Sequence, residues 1–250
     1  MGTTLREPDA FAIEIAALSD AGSKRGRNDD SCATLVKSIS SGLVAIADGK
    51  AEIEGDGLAS QHAIRALMHS YGELPPGMTQ TQKMMRAARS ASFEVYEKAL
   101  VVPQLRGMRA SLTAVAVSEG ALTAAHVGNG RVYLLRDGFI NQLSKDHTQA
   151  AEWLEENGRC PVDGHDRLTR SIGSELIVGI DFFEIALELG DVVILCTDGL
   201  HRVLEDLEIA GLVKGIDAAA ACRRLVDVAN ARETPENLSV GIVRVVGTSR

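Results

Sequence analysis

The chain has 250 residues, of which 34 are acidic and 26 basic, giving a formal net charge of −8. This acidic balance argues against a nucleic-acid-binding protein, and no apolar run approaches the roughly 18 residues of a membrane span. The start of the sequence lacks the basic and apolar regions of a signal peptide, and the four cysteines form no CxxC pair. We therefore expect a globular protein of the reduced cytoplasm, with no nucleic-acid or membrane partner.

The first hundred residues predict two strands and two helices. Apolar side chains alternate over residues 11–16, a period-two pattern that predicts a strand. Residues 43–47 form a short apolar run, typical of a buried strand, which stops at Asp48-Gly49. Apolar residues then recur at helical spacing over 64–71 and over 84–99, which predicts two amphipathic helices.

From Ser111 onward the sequence predicts short strands joined by tight turns. The predicted strands are 111–117, 121–127, 131–135 and 139–143. Their connections contain glycine, so we expect a meander of antiparallel hairpins. The remaining predicted elements are a helix over 149–157, strands over 182–187 and 192–197 that meet at a 189–191 turn, helices over 200–212 and 217–232, and a strand over 238–246.

Two Asp-Gly pairs occupy an unusual place in this pattern. Asp48 and Asp198 each follow a buried apolar run directly and each precede a glycine. A carboxylate at the end of a buried strand is costly unless it is solvated, paired or bound to a metal. A hairpin turn is the alternative, and it is the one we adopt for Asp137-Gly138. Because Asp48 and Asp198 are each followed by a predicted helix, we favour a functional role for both.

Two further acidic segments could join them. Asn28-Asp29-Asp30 lies in a predicted polar loop after the first strand, and Glu236-Asn237 lies just before the last strand. Carboxylate oxygens are the ligands that hard divalent cations prefer. The four segments therefore suggest a metal site, although the sequence does not show that they converge.

Seven segments together resemble the protein phosphatase 2C (PPM) family of metal-dependent serine/threonine phosphatases, in its compact bacterial form. They occur in family order from about residue 13 to residue 246. One of them, Arg25 to Ser31, is similar to the family's Arg-x-x-Asn-Glu-Asp-Ser, and Ala45 to Gly49 is similar to its Asp-Gly-Met-Gly-Gly block. The segments are 19–31, 45–60, 126–134, 143–148, 168–173, 196–200 and 236–240.

The resemblance implies an α+β fold, a four-layer αββα sandwich with two antiparallel sheets packed centrally and helix pairs on both outer faces. It implies one domain over residues 1–250, with a flexible tail over 1–10. It also implies two Mn²⁺ or Mg²⁺ ions that activate a water molecule for attack on phosphorus. The implied roles are Asp48 as the bridging metal ligand, the Gly49 carbonyl, Asp198 and Glu236 as further metal ligands, Asp30 on a metal-bound water, and Arg25 as the phosphate-binding residue.

The sequence also departs from the family pattern at several positions. Residues 50–52 are Lys-Ala-Glu where the family has Met-Gly-Gly, and Lys50 could pair with nearby carboxylates or contact substrate phosphate. Asn129 replaces an aspartate that holds a third metal in bacterial members, so a third ion is not expected. Glu236 replaces the final aspartate and adds a methylene. Residues 109–112 replace Gly-Thr-Thr-Leu, a segment that we expect to be structural.

The leading functional hypothesis is metal-dependent hydrolysis of phosphoserine and phosphothreonine in proteins, on substrates of a serine/threonine kinase. The alternative is a catalytically impaired relative, a pseudophosphatase, that acts as a phosphoprotein-binding or regulatory module. A role in partner switching on anti-sigma pathways is a third class, but such proteins usually carry extra domains. We expect a monomer, with His126 and His147 as packed or surface residues and not metal ligands, His62 as exposed, and Cys196 as a buried core residue and not a nucleophile.

Overall fold

The computed structural model describes residues 11–50, 56–73, 75, 77–158 and 167–247. The predicted tail over residues 1–10 lies outside this range. So do residues 51–52 of the segment that departs from the family pattern.

Ten strands in the described residues form two antiparallel five-stranded sheets. One sheet has the order β1-β10-β9-β6-β7 and the other β2-β3-β4-β5-β8. The strands are β1 (Phe11–Asp20), β2 (Asp30–Ser38), β3 (Ser41–Gly49), β4 (Ala110–Ser118), β5 (Ala121–Val127), β6 (Arg131–Arg136), β7 (Phe139–Gln142), β8 (Asp181–Ala186), β9 (Val192–Cys196) and β10 (Leu238–Gly247).

Six α-helices and one short 3-10 helix, Pro103–Leu105, complete the described structure. Helices α1 and α2 pack on the β2-to-β8 sheet, and α5 and α6 lie with the β1-to-β7 sheet. The helices are α1 (Asp56–Glu73), α2 (Gln80–Val101), α3 (Gln149–Asn157), α4 (Asp198–His201), α5 (Asp206–Val213) and α6 (Ala218–Ala231).

Three apolar layers hold these elements together. One lies between the two sheets and contains Val44 and Val193; the other two lie between each sheet and its helices and include Leu43 and Leu225. Strands β3 and β4 are buried on both faces, which explains why residues 43–47 of β3 and 114–117 of β4 are continuous apolar runs and do not alternate with charged residues. The predicted four-layer αββα sandwich is confirmed.

The structure corrects several predicted connections. The predicted meander is wrong at residues 128–130, because β5 and β6 belong to different sheets and this loop crosses between them. The 189–191 turn likewise joins strands of opposite sheets. The predicted helix over 200–212 is two helices, α4 and α5, with a break at residues 202–205. Strand β2 was not predicted, since it begins at a charged residue within a polar segment.

Local sequence signals explain where the long helices begin. The Thr79 hydroxyl accepts a hydrogen bond from the Gln82 backbone N–H, and the Gln82 side-chain oxygen accepts one from the Thr79 backbone N–H, a capping box that starts α2. Asp217 caps α6 through the Ala220 N–H. None of the helices in the described ranges combines the length and the apolar content that a bilayer crossing requires.

Candidate active site

Asp30 and Asp48 face each other across two neighbouring strands at one end of the sandwich. Asp30 begins β2 and Asp48 is the penultimate residue of β3, and the two are direct partners in the antiparallel register. Both residues are 6% exposed. Gly49 ends β3 and donates its N–H to the Asp29 carbonyl oxygen at 3.1 Å. The predicted loop position of Asp30 is therefore corrected to a strand end.

Asp198 brings a third carboxylate to the same place from the other sheet. It is the first residue of α4, separated from the end of β9 by one residue, and it is 1% exposed. Its Oδ2 accepts hydrogen bonds from Lys50 Nζ at 3.1 Å and Asn129 Nδ2 at 2.9 Å, and it pairs with Arg202 Nη2 at 3.2 Å. Lys50 Nζ also lies 2.7 Å from Asp48 Oδ2, so this ammonium joins the carboxylates of the two sheets.

Thr197 provides a second link between the sheets. Its hydroxyl donates to Asp30 Oδ2 at 2.8 Å and accepts the Ser239 N–H at 2.8 Å. Thr197 is 1% exposed, so a side chain without this hydroxyl would leave buried polar groups unpaired. The sequence did not single out Thr197; its place directly before Asp198 was the available signal.

The three carboxyl groups of the site differ in their affinity for a proton. Burial, together with the charge of Asp198, raises the pKa of Asp30 to about 7. Burial and the nearby charge of Asp30 hold the pKa of Asp48 well above its ordinary value. Burial acts in the same direction on Asp198, but Lys50 and Arg202 outweigh it and lower the pKa of that carboxyl. In the metal-free site Asp30 and Asp48 therefore hold protons more readily than ordinary carboxyls, whereas Asp198 stays ionised beside Lys50 and Arg202.

Unpaired buried oxygens show whether this donor set fits a metal ion. Among the described atoms, Asp30 Oδ1, Asp198 Oδ1 and Asn129 Oδ1 are buried without a hydrogen-bond partner. Asp48 Oδ2 makes no aligned hydrogen bond either, although the Lys50 ammonium lies near it. Unpaired carboxylate and amide oxygens suit a hard divalent cation. Within the described ranges, however, no three His, Cys, Asp or Glu side chains are arranged around one point as ready-made ligands.

Arg25 and Glu236 lie together at the edge of this site. The Arg25 guanidinium donates from Nε to the Pro235 carbonyl oxygen at 3.0 Å and from Nη2 to Glu236 Oε2. Its side chain is half exposed, so the guanidinium can be reached from solvent. No described hydrogen bond or ion pair joins Glu236 to Asp48 or Asp198, so its role as a metal ligand stays a prediction.

Asn237 holds the loop that carries Arg25. Its Nδ2 donates to the carbonyl oxygens of Ala21 and Arg27, each at 2.7 Å, and its Oδ1 accepts the Asp29 N–H at 2.9 Å. Gly199 packs against its backbone, since a Cβ there would overlap the Asn237 carbonyl group. Asn237 belongs to segment 236–240, one of the seven that resemble the family, but only the structure shows that it holds the Arg25 loop.

Three histidines and one cysteine were expected to have no part in the chemistry of the site. Of the two placements expected for His126 and His147, packed or surface, the structure gives the packed one: they are 0% and 1% exposed and lie against each other. Cys196 is fully buried, and burial raises the pKa of its thiol to about 12, which leaves it unreactive. His62, expected to be exposed, is partly buried beside Glu94 on α2.

Comparison with known proteins relates this chain to a family of phosphatases. The family model described as Protein phosphatase 2C matches residues 22–240. The serine/threonine protein phosphatase PstP of Mycobacterium tuberculosis is 30% identical over 94% of this chain, which in turn covers 46% of PstP, about half its length. Protein phosphatase PhpP of Streptococcus pneumoniae is 28% identical over 92% of this chain and 97% of its own.

A solved structure gives the same result for the fold. The catalytic domain of PstP, in complex with two manganese ions, superposes with a TM-score of 0.84 at 29% identity, over 95% of this chain and all of that one. The family match spans most of the sequence and includes the segments that carry Asp30, Asp48 and Asp198. The chain belongs to the protein phosphatase 2C family.

Proposed function

We propose that this chain is a metal-dependent protein phosphatase that hydrolyses phosphoserine and phosphothreonine. The observation that carries the proposal is the convergence of Asp30, Asp48 and Asp198 from both sheets, with buried oxygens that lack hydrogen-bond partners. The names of PstP and PhpP as protein phosphatases, and the two manganese ions in the PstP structure, support it.

The residues of the site suit separate tasks in this reaction. Asp48 and Asp198 would hold a divalent cation, Mn²⁺ or Mg²⁺, with the Gly49 carbonyl and Glu236 as further ligands. A bound ion of this kind lowers the pKa of a water molecule and stabilises charge on the phosphoryl oxygens. Asp30, held by the Thr197 hydroxyl, would orient that water.

Arg25 would bind the substrate phosphate. Its guanidinium is held at the mouth of the site by the Pro235 carbonyl oxygen and the Glu236 carboxylate. A planar guanidinium can donate two parallel hydrogen bonds to phosphate oxygens. Because Glu236 already pairs with Arg25, this carboxylate would orient the phosphate-binding residue as well as serving the metal.

The partners of this activity follow from its chemistry. The substrate would be a phosphorylated protein, the product of a serine/threonine kinase, and the chain would act as a monomer in the cytoplasm. Two ions would be bound, and Asn129 disfavours a third because an amide is a weaker ligand than a carboxylate. PstP and PhpP are both named as phosphatases, and we do not adopt the pseudophosphatase alternative.

The test is phosphate release from a phosphothreonine peptide by metal-free protein to which Mn²⁺ is added back. We expect turnover that rises with Mn²⁺ and is abolished by a chelator, with a phosphotyrosine peptide of the same sequence as the control. A folded protein that releases no phosphate at saturating Mn²⁺ or Mg²⁺ would refute the proposal. A rate that is independent of metal would refute the proposed mechanism.

A further inference from the structure

Lys50 lies where the two sheets of the site meet. Its ammonium is 2.7 Å from Asp48 Oδ2 and 3.1 Å from Asp198 Oδ2. Asp48 and Asp198 are the two carboxylates proposed above to hold a divalent cation. An ion placed between them would need the position that the ammonium already takes, because two cations at hydrogen-bond distance from the same oxygens repel each other.

The backbone of Lys50 is also fixed. Its N–H donates to the Arg109 carbonyl oxygen at 2.8 Å, and Arg109 Nε donates back to the Lys50 carbonyl oxygen at 3.2 Å. Lys50 and Arg109 are two of the positions at which the sequence departs from the family pattern. These two residues therefore contact each other, and Arg109 fixes the Lys50 backbone in a position from which the side chain extends to the carboxylates.

The pair of carboxylates is well suited to such a substitute cation. Asp48 is 6% exposed and Asp198 is 1% exposed, so neither is neutralised by solvent. Arg202 also pairs with Asp198, but without Lys50 the buried Asp48 carboxylate would lose its ion pair, which would destabilise the metal-free fold. The Lys50 side chain is 27% exposed, which leaves it a path to move outward without disturbing the core.

We propose that Lys50 is a tethered cation that takes the metal position between Asp48 and Asp198, stabilises the metal-free protein and must move away before a divalent ion binds. The inference rests on the metal site of the proposed function. It adds that this chain binds metal more weakly than its carboxylates alone would allow. Metal loading is then coupled to the movement of one lysine.

The first experiment is calorimetric titration of Mn²⁺ into the metal-free protein and into Lys50→Met, which removes the charge and keeps the length. We expect Lys50→Met to bind Mn²⁺ at least about tenfold more tightly, because the competing charge is gone. Lys145→Met, at an exposed lysine paired with Glu155, is the matched control and should bind as the unaltered protein does. Lys50→Gln replaces Lys50→Met if the methionine variant does not fold.

The outcomes separate this inference from the proposed function. Equal or weaker binding by the folded Lys50 variant would overturn the tethered cation and leave the metal-dependent phosphatase intact. Absence of Mn²⁺ binding by every folded protein would overturn both. In the metal-free state we expect Lys50→Met to unfold at a lower temperature than the unaltered protein, and an unchanged or higher temperature would overturn the stabilising role.

A second measurement uses the unaltered chain and needs no variant to fold. Lysine acetylation by a mild reagent, mapped by mass spectrometry, reports whether the Lys50 amine is held in an ion pair. We expect Mn²⁺ to increase acetylation of Lys50 and to leave that of Lys145 unchanged. Protection of Lys50 that persists at saturating Mn²⁺ would overturn the displacement.

Discussion

The buried histidine His126 makes stability depend on pH in a direction fixed by the structure. Its Nε2–H donates to the Lys145 carbonyl oxygen at 2.9 Å, so its Nδ1 accepts from the Thr113 hydroxyl at 3.0 Å. Both ring nitrogens are thereby used by the neutral form. Burial, and the neighbouring His147 ring 4.9 Å away, lower the pKa of His126 from 6.5 to about 4.

The direction of the pH dependence follows from the protons that the folded and unfolded chains bind at His126. Below the unfolded pKa of 6.5 the unfolded chain takes up a proton at His126, whereas the folded chain does so only near pH 4. The stability that His126 contributes is therefore present above pH 6.5 and is lost as pH falls toward 4. Between about pH 7.5 and about pH 5, this linkage removes about 2 kcal/mol from the free energy of unfolding.

Urea unfolding of the unaltered protein and of His126→Gln at these two pH values measures this contribution. Each protein also carries the pH dependence of its other groups, so the quantity of interest is the difference between their losses. We expect the loss on acidification to be smaller in His126→Gln by about 2 kcal/mol. His69→Gln is the control, since His69 is an exposed histidine on α1. Equal losses in His126→Gln and the unaltered protein would refute the reasoning.

Two packing predictions concern the loop that carries Arg25. Gly199→Ala forces a Cβ into the Asn237 carbonyl group, so we expect the free energy of unfolding in urea to fall by about 1–3 kcal/mol. The control is Gly211→Ala, in open space on α5, which should raise the free energy of unfolding slightly. Equal effects of the two substitutions would contradict the close packing of Gly199 against Asn237. Asn237→Ala removes three hydrogen bonds and should lower stability by about 2–3 kcal/mol together with phosphatase activity, whereas Asn157→Ala at the end of α3 should change neither. Full activity in Asn237→Ala would show that the clamp does not position the site.

The layers of the fold were predictable because their signals are local. The continuous apolar runs at 43–47 and 192–196 predict strands that are covered on both faces, and such strands need helices on their outer side. Helical spacing over 64–71 and 84–99 supplies the pair on one face. Asp48 and Asp198 were recognisable as site residues because a charged side chain directly after such a run has a large desolvation cost.

The crossing between the sheets was not predictable from local signals. The loop over residues 128–130 is as short as a hairpin turn, and only its packing shows otherwise. Gly128 has a φ of +108° and lies close to Ser111, and a Cβ at Gly130 would meet Thr113 Oγ1 at 2.6 Å. These close contacts with β4 leave no room for a side chain at residues 128 and 130, where the chain changes sheet.

The position of the Lys50 ammonium between the carboxylates was likewise not predictable from a comparison of motifs. The sequence shows that Lys50 replaces a methionine of the family pattern, and it allows contact either with carboxylates or with substrate phosphate. The choice depends on where Arg109 holds its backbone and on how close Asp198 of the other sheet approaches. Likewise, the extra methylene of Glu236 does not reveal that its carboxylate pairs with Arg25.

The central claim is that the carboxylates gathered from both sheets carry out metal-dependent hydrolysis. The most direct measurement is the rate of Mn²⁺-dependent phosphate release from a phosphothreonine peptide by Asp48→Asn, with Asp137→Asn as the matched control. Asp137 also precedes a glycine, but it lies exposed in the β6–β7 turn with a φ of +52°, a conformation that asparagine tolerates. We expect Asp48→Asn to lose at least about a hundredfold in kcat and Asp137→Asn to keep the rate of the unaltered protein. A folded Asp48→Asn protein with undiminished turnover would contradict the claim.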